Sequence, residues 1–216
     1  MDADYALVIS PVLSGPNPPE INGPSEGDIG NNYEFTFVTT DPEKMDVYYY
    51  IDWDDGTYIE WTGPHPSGEI VTISHTWFEK GNHSVKAKAK NSFGIESSWS
   101  EPYIINIKAP ELNIDLVTGG FWRVNIVISN IGGVEATNVS WNLSLEGGFI
   151  FIGRKTSGII PSIPAGQQVK VKSNVIIGFG ETRFNVNTVE PYGSLDFIKR
   201  GGKVFGIYII VNQGGG

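Results

Sequence analysis

The amino-acid sequence predicts an all-β protein built as two antiparallel β-sandwich domains in tandem. Three observations carry the prediction. Short apolar/polar alternations recur at even spacing with Gly, Pro, Asn and Asp between them. No helical 3.6-residue periodicity runs longer than two turns. Composition also breaks near the middle: residues 1–108 hold 17 Asp/Glu and 6 Lys/Arg, a net of −11, whereas residues 109–216 hold 7 and 9, a net of +2. Lys108-Ala109-Pro110-Glu111 sits at that break, and Pro110 restricts Ala109 to extended conformations. The expected organisation is an N-terminal extension strand over 1–16, a sandwich over 17–108, a second over 111–212 and a Gly-rich tail over 213–216.

In the first half, Val85, Ala87 and Ala89 alternate with Lys86, Lys88 and Lys90, so one face is dry and the other wet. The three lysines are expected to discourage edge-to-edge association. Tyr33–Phe37 alternates with its aromatics inward. Val47–Trp53 is rich in strand-favouring residues and runs into Asp54-Asp55-Gly56, a strong turn signal. Pro102–Ile107 supplies the last strand before the junction. In the second half, Val124–Asn130, Val139–Leu145, Val169–Val175 and Phe184–Val189 are the expected strands, with turns at Gly132-Gly133 and Gly147-Gly148. The continuous apolar run Gly206–Val211 fits a strand covered on both faces, or an edge buried by a neighbour.

These residues resemble known families. Trp53-Asp54-Asp55-Gly56, then His75-Thr76-Trp77, Gly81, Val85 and Asn91-Ser92-Phe93-Gly94 resemble the PKD (polycystic kidney disease-like) domain. That family reads Trp-Asp-Phe-Gly-Asp-Gly, His-Thr-Tyr, Gly-x-Tyr-x-Val and Asn-x-x-Gly. Here the acidic turn is two residues shorter, Trp77 stands for a Tyr and His83 for a second. Ser97-Ser98-Trp99-Ser100-Glu101-Pro102 is similar to the end of fibronectin type III domains. Either resemblance implies a seven-strand, immunoglobulin-like module of extracellular proteins. Asn130-Ile131-Gly132-Gly133, Ile163-Pro164-Ala165-Gly166-Gln167 and Gly178-Phe179-Gly180 resemble CARDB-type (cell-adhesion-related) domains of bacterial and archaeal surfaces.

Composition narrows the chemistry. With no Cys, disulfides, thiolate metal sites and Cys nucleophiles are excluded. A net charge of −9 argues against a nucleic-acid partner. No apolar run approaches the roughly 18 residues of a membrane span, and the acidic start Met1-Asp2-Ala3-Asp4 does not read as a signal peptide. No nucleophile elbow, phosphate-binding loop or zinc-protease motif occurs, so no enzymatic role and no cofactor are expected, calcium excepted. His65 is expected in an exposed turn, His75 bonded to backbone, and His83 at an inward aromatic position.

Three candidate surfaces follow. Asp52, Asp54 and Asp55 form, with Glu60, the only dense carboxylate cluster; hard oxygen ligands on a turn could hold Ca²⁺, although Asp54 and Asp55 bonding to turn amides is the plainer reading. Tyr48, Tyr50, Tyr58 and Trp61, with Trp99 beside them, could form an exposed aromatic platform for sugars or proteins, if a neighbouring strand or domain does not cover them. Asn82, Asn138 and Asn142 begin N-glycosylation sequons. The expected function is a non-catalytic structural or adhesion module pair of an extracellular or cell-surface bacterial or archaeal protein. Its partners would be other surface proteins or polysaccharide. One alternative is a carbohydrate-binding accessory of a secreted hydrolase. Another is a filament or surface-layer subunit that self-associates by donating the apolar strand within residues 5–10.

Overall fold

The computed structural model describes residues 13–213 and shows strands, turns and no helix among them. The expected donor segment, residues 5–10, and the last three glycines lie outside the described residues. Two compact units divide between Ile107 and Lys108, where the charge balance changes sign.

The first unit holds eight strands: β1 (Glu20–Asn22), β2 (Glu26–Asp28), β3 (Asn32–Val38), β4 (Val47–Asp52), β5 (Tyr58–His65), β6 (Val71–Thr76), β7 (Gly81–Asn91) and β8 (Tyr103–Lys108). They form a three-stranded sheet ordered β1-β3-β6 and a five-stranded sheet ordered β2-β8-β7-β4-β5. Period-two alternation produces the core directly. Tyr49, Ile51, Val85, Ala87 and Ala89 on the larger sheet are fully buried, as are Phe35 and Phe37 on the smaller. Register sets Ala89 opposite Tyr49 and Ala87 opposite Ile51. Phe35 lies edge-on to Trp53 and Trp77, with centroids 5.7 Å away in each case, the geometry that aromatic quadrupoles favour. The buried Trp77 indole donates to the Trp53 carbonyl at 3.0 Å, which satisfies the one polar atom of that ring.

Loop backbone is tied down by buried side chains. Asn91, at the end of β7, accepts from the amides of Phe93 and Ile95 and donates to the Ser14 carbonyl and to Asp41. Asp41 in turn accepts from the amides of Glu43 and Met45. The strand of alternating lysines is central in its sheet rather than an edge, so Lys86, Lys88 and Lys90 do not guard an edge; they project from the middle of the outer face.

The second unit holds β9 (Leu112–Thr118), β10 (Asn125–Asn130), β11 (Ala136–Ile152), β12 (Lys155–Ile163), β13 (Gln168–Lys172), β14 (Ile177–Val189), β15 (Leu195–Gly206) and β16 (Tyr208–Val211). A three-stranded sheet, β13-β10-β9, and a five-stranded sheet, β12-β11-β14-β15-β16, enclose a core of Ile126, Ile128, Val139, Leu143, Phe184, Val186 and Val204. The Gly147-Gly148 pair does not turn the chain. It forms a bulge at which the register of β11 against β14 shifts, and φ of +81° and +57° there is backbone that glycine adopts without a Cβ penalty. Gly206–Val211 is not one covered strand either. Its strand portion, β16, is an edge with Ile209 and Val211 inward and Tyr208 and Ile210 nearly half exposed.

Asn130 does for this unit what Asn91 does for the first. Buried at the end of β10, it donates to the carbonyls of Val134 and Ile163 and accepts from the amides of Glu111 and Gly132. Glu190, also buried, accepts from the amides of Tyr192 and Ser194 and holds the β14–β15 turn. Replacing Trp77 by Ala is expected to destabilise the first unit by about 3–5 kcal/mol, read as a fall in the urea midpoint with little change in slope.

Candidate functional site on the first unit

The acidic turn after β4 carries the carboxylates of interest. Asp52 accepts from the Asp54 amide at 3.0 Å, and Asp54 accepts from the Ser84 amide at 2.8 Å. Asp55 accepts from the Thr57 amide and hydroxyl at 2.9 and 2.6 Å, and its other oxygen lies 2.7 Å from His75 Nε2. The oxygens are therefore aimed at separate donors, in the turn itself, on β7 and on β6. Among the described residues no group of three or more His, Asp or Glu side chains could hold a metal ion, so Asp52, Asp54 and Asp55 are not brought together as calcium ligands.

The histidines depart from expectation in two of three cases. His75 bonds to the Asp55 carboxylate, not to backbone; its ring stacks on Trp53 at 4.6 Å and 2°. His65 ends β5 half-buried instead of standing in an exposed turn, and its Nε2 is buried with no partner among the described residues. His83 is inward and buried, with Nδ1 3.1 Å from the Asp54 carbonyl and Nε2 3.0 Å from that of Glu79.

The aromatic set lies on the outer face of the five-stranded sheet. Alternation along β4 sends Tyr49 and Ile51 inward and Tyr48 and Tyr50 outward. Register then places Tyr48 opposite Lys90 and Tyr50 opposite Lys88 on β7. Tyr50 stacks on Tyr58 of β5 at 5.4 Å and 12°, and meets Trp61 and Trp99 edge-on at 5.7 and 5.8 Å. The Lys88 ammonium sits within 5.5 Å of the Tyr50, Trp61 and Trp99 ring centres and 2.6 Å from Glu96. Lys90 sits 4.3 Å from Trp61 and 5.9 Å from Tyr48. Burial, reinforced by the charges of Tyr58, Glu60 and Asp52, raises the Tyr50 phenol above its ordinary value.

This face is a mosaic more than an open platform. Tyr48, Tyr50 and Trp61 are only partly exposed, because lysines from the same sheet occupy their ring faces. Tyr58 is 58% exposed and Trp99 43%, so these two rings present the open surface. Asn82, Asn138 and Asn142 are all exposed. The Asn82 side chain accepts from Asn106 at 2.6 Å, and Asn138 occupies an unpaired position in β11 with φ of +52°. The aromatic members were legible in the sequence; their coverage by Lys88 and Lys90 was not, because the members come from β4, β5, β7 and the segment after it.

Fold and site together define an immunoglobulin-like sandwich module whose turn carboxylates and face aromatics are engaged with its own loops and strands. Residues 22–102, within the first unit, match the family model of the PKD domain. It is similar to the solved PKD domain of M14-like peptidase from Thermoplasmatales archaeon SCGC AB-540-F20, with 47% identity over 44% of this chain and 98% of that one, at a TM-score of 0.43. No curated protein matches the chain. The PKD domain is a non-catalytic extracellular module of structural or adhesive role, found in surface proteins and peptidases. No helix among the described residues is long and apolar enough to cross a membrane.

The Asp55–His75 pair sets a pH expectation. Burial alone would raise the Asp55 carboxyl, but hydrogen bonds from Thr57 and His75 outweigh it and hold the group below its ordinary value. A lowered carboxyl stabilises the fold above its unfolded-state titration, and that gain disappears as pH falls through the folded one. Asp55→Asn is therefore expected to cost about 1–3 kcal/mol near neutrality, and the gap to wild type should close below the usual carboxylate range. Urea titrations of both proteins at stepped pH check this.

Proposed function

We propose that the chain is a non-catalytic extracellular module pair that acts as a structural or adhesive segment of a surface protein. The observation that carries this reading is that residues 22–102 match the PKD domain family model. The side chains best suited to chemistry, Asp54, Asp55, His75 and His83, support it, because each is engaged with a turn or a core ring. For the second unit, a CARDB-like adhesion module is the proposal. It rests on the Asn130-Ile131-Gly132-Gly133 turn, whose asparagine bonds four backbone groups. A bacterial or archaeal surface and glycans at Asn138 and Asn142 belong to the same reading.

A second reading is favoured by Tyr58, which offers an exposed ring against Tyr50: a polysaccharide-binding accessory of a secreted hydrolase. Isothermal titration of the full chain against soluble polysaccharides separates the two. The structural reading expects no saturable heat. Saturable heat that Tyr58→Ala abolishes would replace it with the accessory reading. For the glycans, intact mass of protein purified from its source is expected to exceed the sequence mass by whole glycan units, and Asn138→Gln and Asn142→Gln should each remove one.

A further inference from the structure

The outer face of the second unit's larger sheet carries an aromatic row absent from the sequence-level candidates. Phe149 on β11 is registered against Phe179 on β14, Phe179 against Phe205 on β15, and Phe205 against Tyr208 on β16. Directly opposed residues of antiparallel strands share a face, so four rings cross the sheet side by side. Phe151 extends the row, 6.3 Å from Phe179, and Phe121 closes it, 5.1 Å from Tyr208. These six side chains are each between 45% and 78% exposed. A contiguous apolar surface of this kind on a folded domain marks an interaction site more often than chance exposure.

Charge selects the partner. The strand directions put the end of β11, the start of β14 and the β15–β16 connection at one end of the unit, together with the starts of β10 and β12 and the end of β13. Five of the nine basic residues of 109–216 lie at that end: Arg123, Arg154, Lys155, Lys172 and Lys203. Five of the seven acidic ones lie in the other half: Glu111, Asp115, Glu135, Glu190 and Asp196. The other two stand beside the aromatic row: Glu146 is registered against Arg183, and Glu181 is paired with Lys203 at 2.8 Å. Exposed apolar side chains also occur at the acidic end, at Ile159, Leu195 and Phe197, with Lys199 over the Phe197 ring, but there acidic residues outnumber those at the aromatic end. Phe and Tyr that enter the headgroup boundary, flanked by Lys and Arg that meet anionic lipid, are the two contributions that hold a peripheral protein on a bilayer.

We propose that the aromatic, basic end of the second unit docks peripherally on a lipid surface bearing anionic headgroups. This goes beyond the structural or adhesive reading and does not involve the Tyr58 face. The test is sedimentation of the full chain with phosphatidylglycerol/phosphatidylcholine vesicles and with phosphatidylcholine alone. The expected result is binding to the first that weakens with salt and little binding to the second. The double variants Phe179→Ser/Phe205→Ser and Lys155→Glu/Lys172→Glu each change only exposed side chains. Each should lower the partition coefficient about tenfold or more, with far-ultraviolet dichroism unchanged, whereas Phe78→Ser/Phe93→Ser in the first unit should bind like wild type. Failure of wild type to bind anionic vesicles overturns the proposal, as does binding that survives both second-unit variants. A wild-type dimer in light scattering that Phe179→Ser/Phe205→Ser dissociates, without vesicle binding, would assign the row to a second copy instead.

Discussion

Both units depend on one constraint: main-chain polar groups in the loops must find partners before the apolar sheet faces can close over them. Strand ladders satisfy their own amides, but a loop between stacked sheets cannot. In the first unit Asn91 and Asp41 fill that need together, and in the second Asn130 and Glu190 do so separately. Each is buried, and each bonds two or more backbone groups. The two asparagines stand at strand ends, followed closely by glycine, so a side-chain amide replaces the missing ladder just where the chain leaves the sheet. Losing such a group leaves several buried donors and acceptors open at once, which costs more than any one hydrogen bond is worth.

The same economy explains the acidic turn of the PKD unit. Clustered carboxylates on a loop suggest a cation, yet Asp52, Asp54 and Asp55 are turned toward the amides of residues 54, 84 and 57. His75 bridges that turn to the core by stacking on Trp53 while bonding Asp55. The turn's charge thus serves to anchor a hairpin against the aromatic cluster of Phe35, Trp53 and Trp77.

On the outer faces the two units treat aromatics differently. In the first, the Lys88 and Lys90 ammonium groups lie over Tyr48, Tyr50 and Trp61 in cation–π contact, which covers rings that would otherwise be more open. In the second, Phe149, Phe179, Phe205 and Tyr208 stand opposite one another, and no lysine among the described residues lies over them. An aromatic covered by its own sheet contributes stability, whereas a row left open is available to a partner.

The sequence alone determined the all-β class and the inward sets of β4 and β7, because period-two alternation acts within a few residues. It also carried the PKD motifs from Trp53 to Gly94. It misplaced Gly147-Gly148 as a turn, since a bulge and a turn ask the same backbone freedom of glycine. It passed over the short β1 and β2 and also β5, β6, β9, β12 and β15, whose residues do not alternate cleanly between apolar and polar. Only the tertiary structure decided that Lys88 sits among Tyr50, Trp61 and Trp99, that His75 reaches Asp55 and that four aromatics line up across β11, β14, β15 and β16. Those contacts join residues far apart in the chain, and they exist only once strand order and register are set, which no local pattern specifies.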